Sequence, residues 1–228
     1  MLQVIKDDFR LLTFRITREE ILNFGWKHLV FGLICTWIVG AGRNWDNPQA
    51  GFLQHLGIGS VVYVFILSAL LAVIIAPLMP QDWTLFRVIT FISLVSPPAV
   101  LYAIPVEKFA TVEAANSLNA CFLLVVSIWR VLLLMFFLQR FALLSPSSVL
   151  VATSLPLILI VMLVFILNFE RLVLDSMGGF RDKTSNDASD GLLGLVFLIS
   201  ILLFPVVLIA YFWIIRRNAR EDSLNLDE

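Results

Sequence analysis

The sequence predicts an all-α fold: a polytopic transmembrane helix bundle of about six spans, with an N-terminal amphipathic helix at the membrane interface. Three observations predict it. Of 228 residues, 60% are hydrophobic and only 14% are charged, whereas soluble domains hold ~45–50% apolar and ~25% charged residues. Mean hydropathy is +0.94. The apolar residues gather into long runs with charged flanks, and 19 Phe with 6 Trp suit lipid contact and interfacial anchoring.

The chain opens on residues 1–25, expected to be a cytoplasmic, interfacial helical segment. Leu2, Ile5, Phe9, Leu12 and Ile16 recur at alternating helical spacing and form one stripe, with Lys6, Asp7 and Arg10 off it. A helix of this kind lies in the headgroup plane with its apolar face down, or offers that face to a partner helix. The interfacial placement is favoured, because the chain enters the bilayer directly afterwards. Thr17-Arg18-Glu19-Glu20 then reads as a capping box that starts a new helix, expected to run on into the first span.

Residues 26–215 form the membrane domain. The runs fall near 26–42, 55–79, 85–105, 114–138, 148–169 and 191–215. A hydrocarbon core takes about 20 helical residues, so the first run is short and should borrow length from the helix before it. With the N-terminus inside, ten Lys and Arg fall on inner segments and five on outer loops. Both termini are therefore expected in the cytoplasm, and the protein in the plasma (inner) membrane. No secretory signal is expected, since the first run follows a mixed-charge segment. Asn47-Pro48 marks a turn in an outer loop carrying Trp45, and residues 170–191 read as a long polar loop. Residues 216–228 read as a polar cytoplasmic tail too short to fold alone.

Within the run LLVVSIWRVLLLMFFL stands Arg130. An arginine at the centre of a membrane helix costs about 2.5–3.5 kcal/mol. Arg130 lies some eight residues from the inner end of its run, about 12 Å of depth. At matching depth the third run has Ser93, Ser96, Pro97 and Pro98, the fifth Thr153 and Pro156, and the sixth Ser200 and Pro205. A proline inside an α-helix frees the carbonyl four residues earlier. Arg130 is therefore expected to face the bundle interior and donate to freed carbonyls, chiefly around Ser93–Pro98. Either Arg130 is structural glue, or this layer is a polar site for an anionic substrate or lipid headgroup. No acidic residue lies mid-span to make a proton relay or a cation pathway.

Other constellations are sparse. His55 with Asp46, Glu107, Glu113 or Glu170 makes no convincing metal set, and His28 lies on the opposite side. Cys35 and Cys121 read as buried hydrophobes. Gly57-Ile58-Gly59-Ser60, with Gly40 and Gly42, offers small faces for close helix approach. Trp83 and Trp213 read as interfacial anchors, and Arg216, Arg217 and Arg220 as a clasp on anionic lipid. There is no nucleophile elbow, zinc-protease motif or phosphate loop, and no His or Lys at membrane depth to activate a serine. No enzymatic activity, metal or cofactor is expected, and the net charge of −1 argues against nucleic acid.

The stretch RVITFISLVSPPAVLYAIP, a proline-broken span after an amphipathic N-terminus and before a Trp-containing span, resembles bacterial members of the Ypt/Rab-interacting (YIP) multispan family over residues 85–169. The resemblance implies a non-enzymatic membrane adaptor and carries over no catalytic residue. The leading expectation is a non-catalytic membrane subunit or adaptor acting through helix packing and its N-terminal helix. Its partners would be the lipid bilayer and a protein partner or further copies of the chain. The alternative is a small transporter or channel subunit that binds an anion or lipid headgroup at the Arg130 layer.

Overall fold

A computed structural model describes residues 1–45, 51–167 and 187–226. The described residues contain helices and no strand. The helices are α1 (Leu2–Leu12), α2 (Arg18–Leu22), α3 (Trp26–Asn44), α4 (Phe52–His55), α5 (Ile58–Ile75), α6 (Leu85–Leu94), α7 (Val112–Arg140), α8 (Pro146–Ile166) and α9 (Asp187–Leu226). Four helical stretches are long and apolar enough to cross a membrane: Ile58–Leu78, Glu113–Arg140, Pro146–Ile166 and Gly194–Arg220. A fifth arises if α6 and the 3₁₀ segment Pro97–Ala103, bent by 42° at Val95-Ser96, count as one broken span. The sixth expected span, α3, carries Lys27, His28, Arg43 and Asn44 near its ends and is not among them.

The chain divides into two compact units. The described part of the first covers residues 1–45, 51–69 and 84–133, and that of the second 70–83, 134–167 and 187–226.

In the first unit, α1 and α2 are separate helices. Thr13 ends α1 by turning its hydroxyl back to the Phe9 carbonyl at 2.8 Å, and Phe14 adopts a left-handed conformation (φ 59°). The capping box forms: the Glu20 amide donates to Thr17 Oγ1 at 3.4 Å, and the Thr17 amide to Glu20 Oε2 at 2.9 Å. That amide bond holds the Glu20 carboxyl below its ordinary range, and Arg10 pairs with the same carboxylate. The helix it starts does not run into the first span, as the sequence suggested. It stops at Asn23, and α3 begins afresh at Trp26, where the Gly25 amide donates to His28 Nδ1 at 3.3 Å. An imidazole that captures the first free amide makes a new helix start cheaper than continuation through glycine.

Helices α3 and α6 run side by side in the same direction. Trp26 packs edge-on to Phe86 at 5.0 Å at one end, and Arg43 reaches Tyr102 at the other. Their close approach needs Gly32, where an added Cβ would meet Ser93 Oγ at 2.4 Å and the Ser93 carbonyl carbon at 2.9 Å. The start of α5 lies against the last turns of α3. At Gly40 a Cβ would fall 2.5 Å from Ser60 Oγ and 2.8 Å from the Gly57 carbonyl oxygen. Gly57 itself has φ +66° and presses on α3, with a Cβ placed 2.4 Å from the Ala41 nitrogen.

In the second unit α8 and α9 pack along each other, with Phe165 stacked on Phe197 at 4.3 Å. The carbonyls at the end of α5 are met from α9: Tyr211 donates its hydroxyl to Ile74 at 2.8 Å, and Asn218 its amide to Leu78 at 3.0 Å. Trp83 donates Nε1 to the Ala72 carbonyl at 3.3 Å and packs near Phe137, so it is tied to protein as well as placed at a span end. Arg217 lies over the Trp213 ring at 5.3 Å. The segment expected to be an unfolded tail from 216 continues α9 to Leu226. Adding residues to an existing helix needs no new nucleus, so a short polar stretch is helical there. Asn47-Pro48 and most of the long polar loop (168–186) lie outside the described residues.

Because its φ is positive and the facing atoms are backbone, Gly57→Ala should destabilise the protein by about 1–3 kcal/mol. Gly59→Ala, where a Cβ meets nothing within 4 Å, should be neutral or mildly stabilising. Melting temperatures of the two variants in the same detergent check the contrast.

Candidate functional site

The site is assembled from α3, α5, the break after α6, and α7. Val39 of α3, Ala99 of the 3₁₀ segment and Val126 of α7 form a buried apolar cluster on which Leu101 and Tyr102 pack. Arg130 lies one turn beyond Val126 and so projects from the same side of α7. Its Nε donates to the Val95 carbonyl at 3.2 Å.

The acceptor is Val95, not Ser93 or Leu94 as counting four residues back from Pro97 and Pro98 suggested. The reason is the local helix type. Residues 97–103 form a 3₁₀ helix, in which a carbonyl looks three residues ahead for its donor. Three residues after Val95 stands Pro98, which has no N–H. The Ala99 amide that an α-helix would have supplied turns to the Ser96 carbonyl at 3.0 Å. The Val95 carbonyl is thus left to a side chain from another helix, and Arg130 takes it.

The Ser93 carbonyl is met locally, by the Ser96 amide at 3.2 Å and, more distantly, the Thr36 hydroxyl at 3.4 Å. Ser93 and Ser96 are buried and join α6 to α3 rather than reaching Arg130. Ser93 Oγ donates to the Thr90 carbonyl at 2.8 Å. Thr36 Oγ1 donates to the Gly32 carbonyl at 2.9 Å and lies 2.7 Å from Ser96 Oγ, which donates to it in turn. Thr153, Pro156 and Pro205 belong to the second unit. Helices α8 and α9 continue through both prolines, Thr153 Oγ1 is buried with no hydrogen-bond partner, and Ser200 bonds back to the Val196 carbonyl at 2.8 Å.

Three further residues join the layer. The Arg43 guanidinium sits 4.8 Å from the centre of the Tyr102 ring. Arg43, Tyr63 and Tyr102 all lie within electrostatic reach of Arg130. The sequence offered a signal for Arg43 only in retrospect. It reads as a loop charge when the first span is ended at 42, but α3 continues to Asn44 and carries Arg43 inward along its own face.

The N-terminal stripe is exposed at Leu2, Ile5 and Phe9 and half-buried at Leu12, whose carbonyl accepts Trp129 Nε1 at 3.1 Å. Ile16 does not extend it. The residue lies beyond the end of α1 and is buried, because the chain turns at Thr13-Phe14. Nor is the opposite face of α1 a solvent face: Val4, Asp7, Asp8 and Leu11 are buried. His55 is exposed, and no group of three His, Cys, Asp or Glu side chains suited to a metal occurs among the described residues. Of its expected companions, Asp46 and Glu170 lie outside the described residues.

The chain matches no protein-family model, and neither a curated protein nor a solved structure shows significant similarity to it.

Loss of the hydroxyl that bridges α3 and the helix break should weaken their joint. Thr36→Val is expected to cost about 1–2 kcal/mol, and Ser96→Ala a similar amount. The double variant should cost less than the sum, because the two share one bond. Thermal unfolding of the three variants measures this.

Proposed function

We propose that this is an integral membrane protein whose Arg130 layer holds the phosphate of an anionic ligand, either a lipid headgroup or a soluble phosphate compound. One observation carries this reading. Among the described residues Arg130 makes a single hydrogen bond, through Nε, and its two terminal NH₂ groups have no protein partner. A guanidinium kept only as glue would have all its donors engaged, since each unmet polar group in a low-dielectric setting is costly. Two terminal NH₂ groups in a plane match two oxygens of a phosphate. Arg43 and the Tyr102 and Tyr63 rings add positive charge and phenol donors nearby.

The same reading takes α3 as a short first span, giving six spans, with α1 at the cytoplasmic interface of the plasma membrane and both termini inside. Its 19 residues make about 28 Å of helix, close to a hydrocarbon core of about 30 Å. The parallel run of α3 with α6 suits spans of the same direction separated by one that returns. A second reading, the adaptor role, draws on the exposed Leu2, Ile5 and Phe9. It expects a co-purifying partner that is lost on deletion of residues 1–16 while the spans stay inserted.

Purified full-length protein and the Arg130→Leu and Arg130→Lys variants test the site. Native mass spectrometry with phosphatidylglycerol added reads headgroup binding, and uptake of labelled inorganic phosphate into phosphatidylcholine proteoliposomes reads a soluble ligand. Arg130→Leu should fold and lose the signal in one of the two assays by about tenfold or more, and Arg130→Lys should fall between, keeping charge without the planar fork. A folded Arg130→Leu that behaves as wild type in both assays, or one that never folds alongside a fully active Arg130→Lys, sinks the reading.

A further inference from the structure

Helix α1 brings to α3 the acidic groups that the spans themselves lack. Asp7 and Asp8 are 6% and 5% exposed, on the face of α1 that also buries Val4 and Leu11; Asp7 meets His28 of α3 and Asp8 lies within electrostatic reach of Cys35. The two carboxyls are treated differently. Asp7 Oδ1 accepts Gln3 Nε2 at 2.8 Å, and Asp7 Oδ2 lies 3.1 Å from His28 Nε2. The His28 ring is fixed by its other nitrogen: Nδ1 accepts the Gly25 amide at 3.3 Å, so the ring proton sits on Nε2 and is donated to Asp7. The ring is also stacked on Phe24 at 4.6 Å. Asp7 is therefore served by two donors while the adjacent Asp8 Oδ1 is buried with no partner.

We propose that Asp8 is a proton-binding site at the α1–α3 interface, and that its protonation state governs how firmly the amphipathic helix is seated on α3. This goes beyond the Arg130 reading and does not depend on it. The other groups around Asp8 do not neutralise a carboxylate there. His28 is engaged with Asp7, Arg10 is paired with Glu20, and Lys6 and Lys27 turn to the surface. The Cys35 thiol of α3 lies within electrostatic reach and would gain nothing from a neighbouring negative charge. Burial accordingly pushes the Asp8 carboxyl from 3.8 up to about 7.

The sign follows from linkage. The seated helix holds the Asp8 proton more tightly than the released one, so seating is strongest at low pH. It weakens as pH rises from the ordinary carboxyl value towards about 7, and becomes constant once the seated form is itself ionised. Raising pH should loosen α1, and with it the membrane-facing stripe.

Hydrogen–deuterium exchange of the α1 amides, corrected for intrinsic exchange, in full-length protein in phosphatidylcholine liposomes tests this. Between about pH 5.5 and 8, wild-type protection should fall on the order of tenfold. Asp8→Asn and Asp8→Leu should keep wild-type low-pH protection and lose the pH dependence, whereas His28→Gln should keep the dependence. Flat protection in the wild type overturns the proposal, as does a wild-type dependence surviving in both Asp8 variants, or loss of it in His28→Gln. Failure of both Asp8 variants to protect α1 at any pH also overturns it, since Asp8 would then serve packing and not a proton.

Discussion

The first unit depends on one constraint: a backbone carbonyl that its own helix cannot satisfy must be met by another element. Pro97-Pro98 ends α6 and turns the chain into a 3₁₀ segment. Each consequence can be followed from there. The Ser93 carbonyl is met by Ser96 and Thr36, which ties the break to α3 and requires a glycine at position 32 for the backbones to approach. The Val95 carbonyl has no local donor and draws Arg130 from α7. The same rule operates in the second unit, where α9 supplies Tyr211 and Asn218 to the end of α5. In water such carbonyls would be hydrated at little cost; in hydrocarbon they decide which helices touch.

Four long apolar helices were legible because length and hydropathy dictate them: α7 and α8 begin and end within about two to four residues of the runs read from the sequence. The capping box at Thr17 was legible because it is local chemistry. What the sequence did not disclose were features that depend on a choice between two acceptable local states. Whether residues 97–103 are α or 3₁₀ moves the freed carbonyl by one residue, and periodicity does not report it. Whether α2 continues into α3 was decided by the His28 ring reaching the Gly25 amide.

The orientation of α1 was illegible for a different reason. Its periodicity defines two faces but not which of them meets the protein. In a soluble domain the apolar face is turned inward, since water is the alternative. Here the apolar stripe Leu2, Ile5 and Phe9 is turned outward, and the face with Asp7 and Asp8 is the one that packs. The acidic groups then have to be satisfied from within. Gln3 and His28 do this for Asp7, and a bound proton is proposed to do it for Asp8, whose Oδ1 has no partner among the described residues.

Arg130 obeys the same logic with the opposite sign. A buried arginine costs about 2.5–3.5 kcal/mol at the bilayer centre, and one hydrogen bond to a charged donor returns about 1.5–3 kcal/mol. The Val95 contact is of the size of that cost and uses one of the guanidinium's five donors. A site that only stabilised α7 against the helix break would have been served as well by a neutral donor such as glutamine, with no charge to desolvate. Among the described residues Arg130 gives one donor to Val95 and lies within electrostatic reach of Arg43, whose guanidinium sits over the Tyr102 ring; this is the arrangement on which the proposed anion site rests. Like charges brought together in a low-dielectric layer repel each other, and a negative group between them relieves that repulsion.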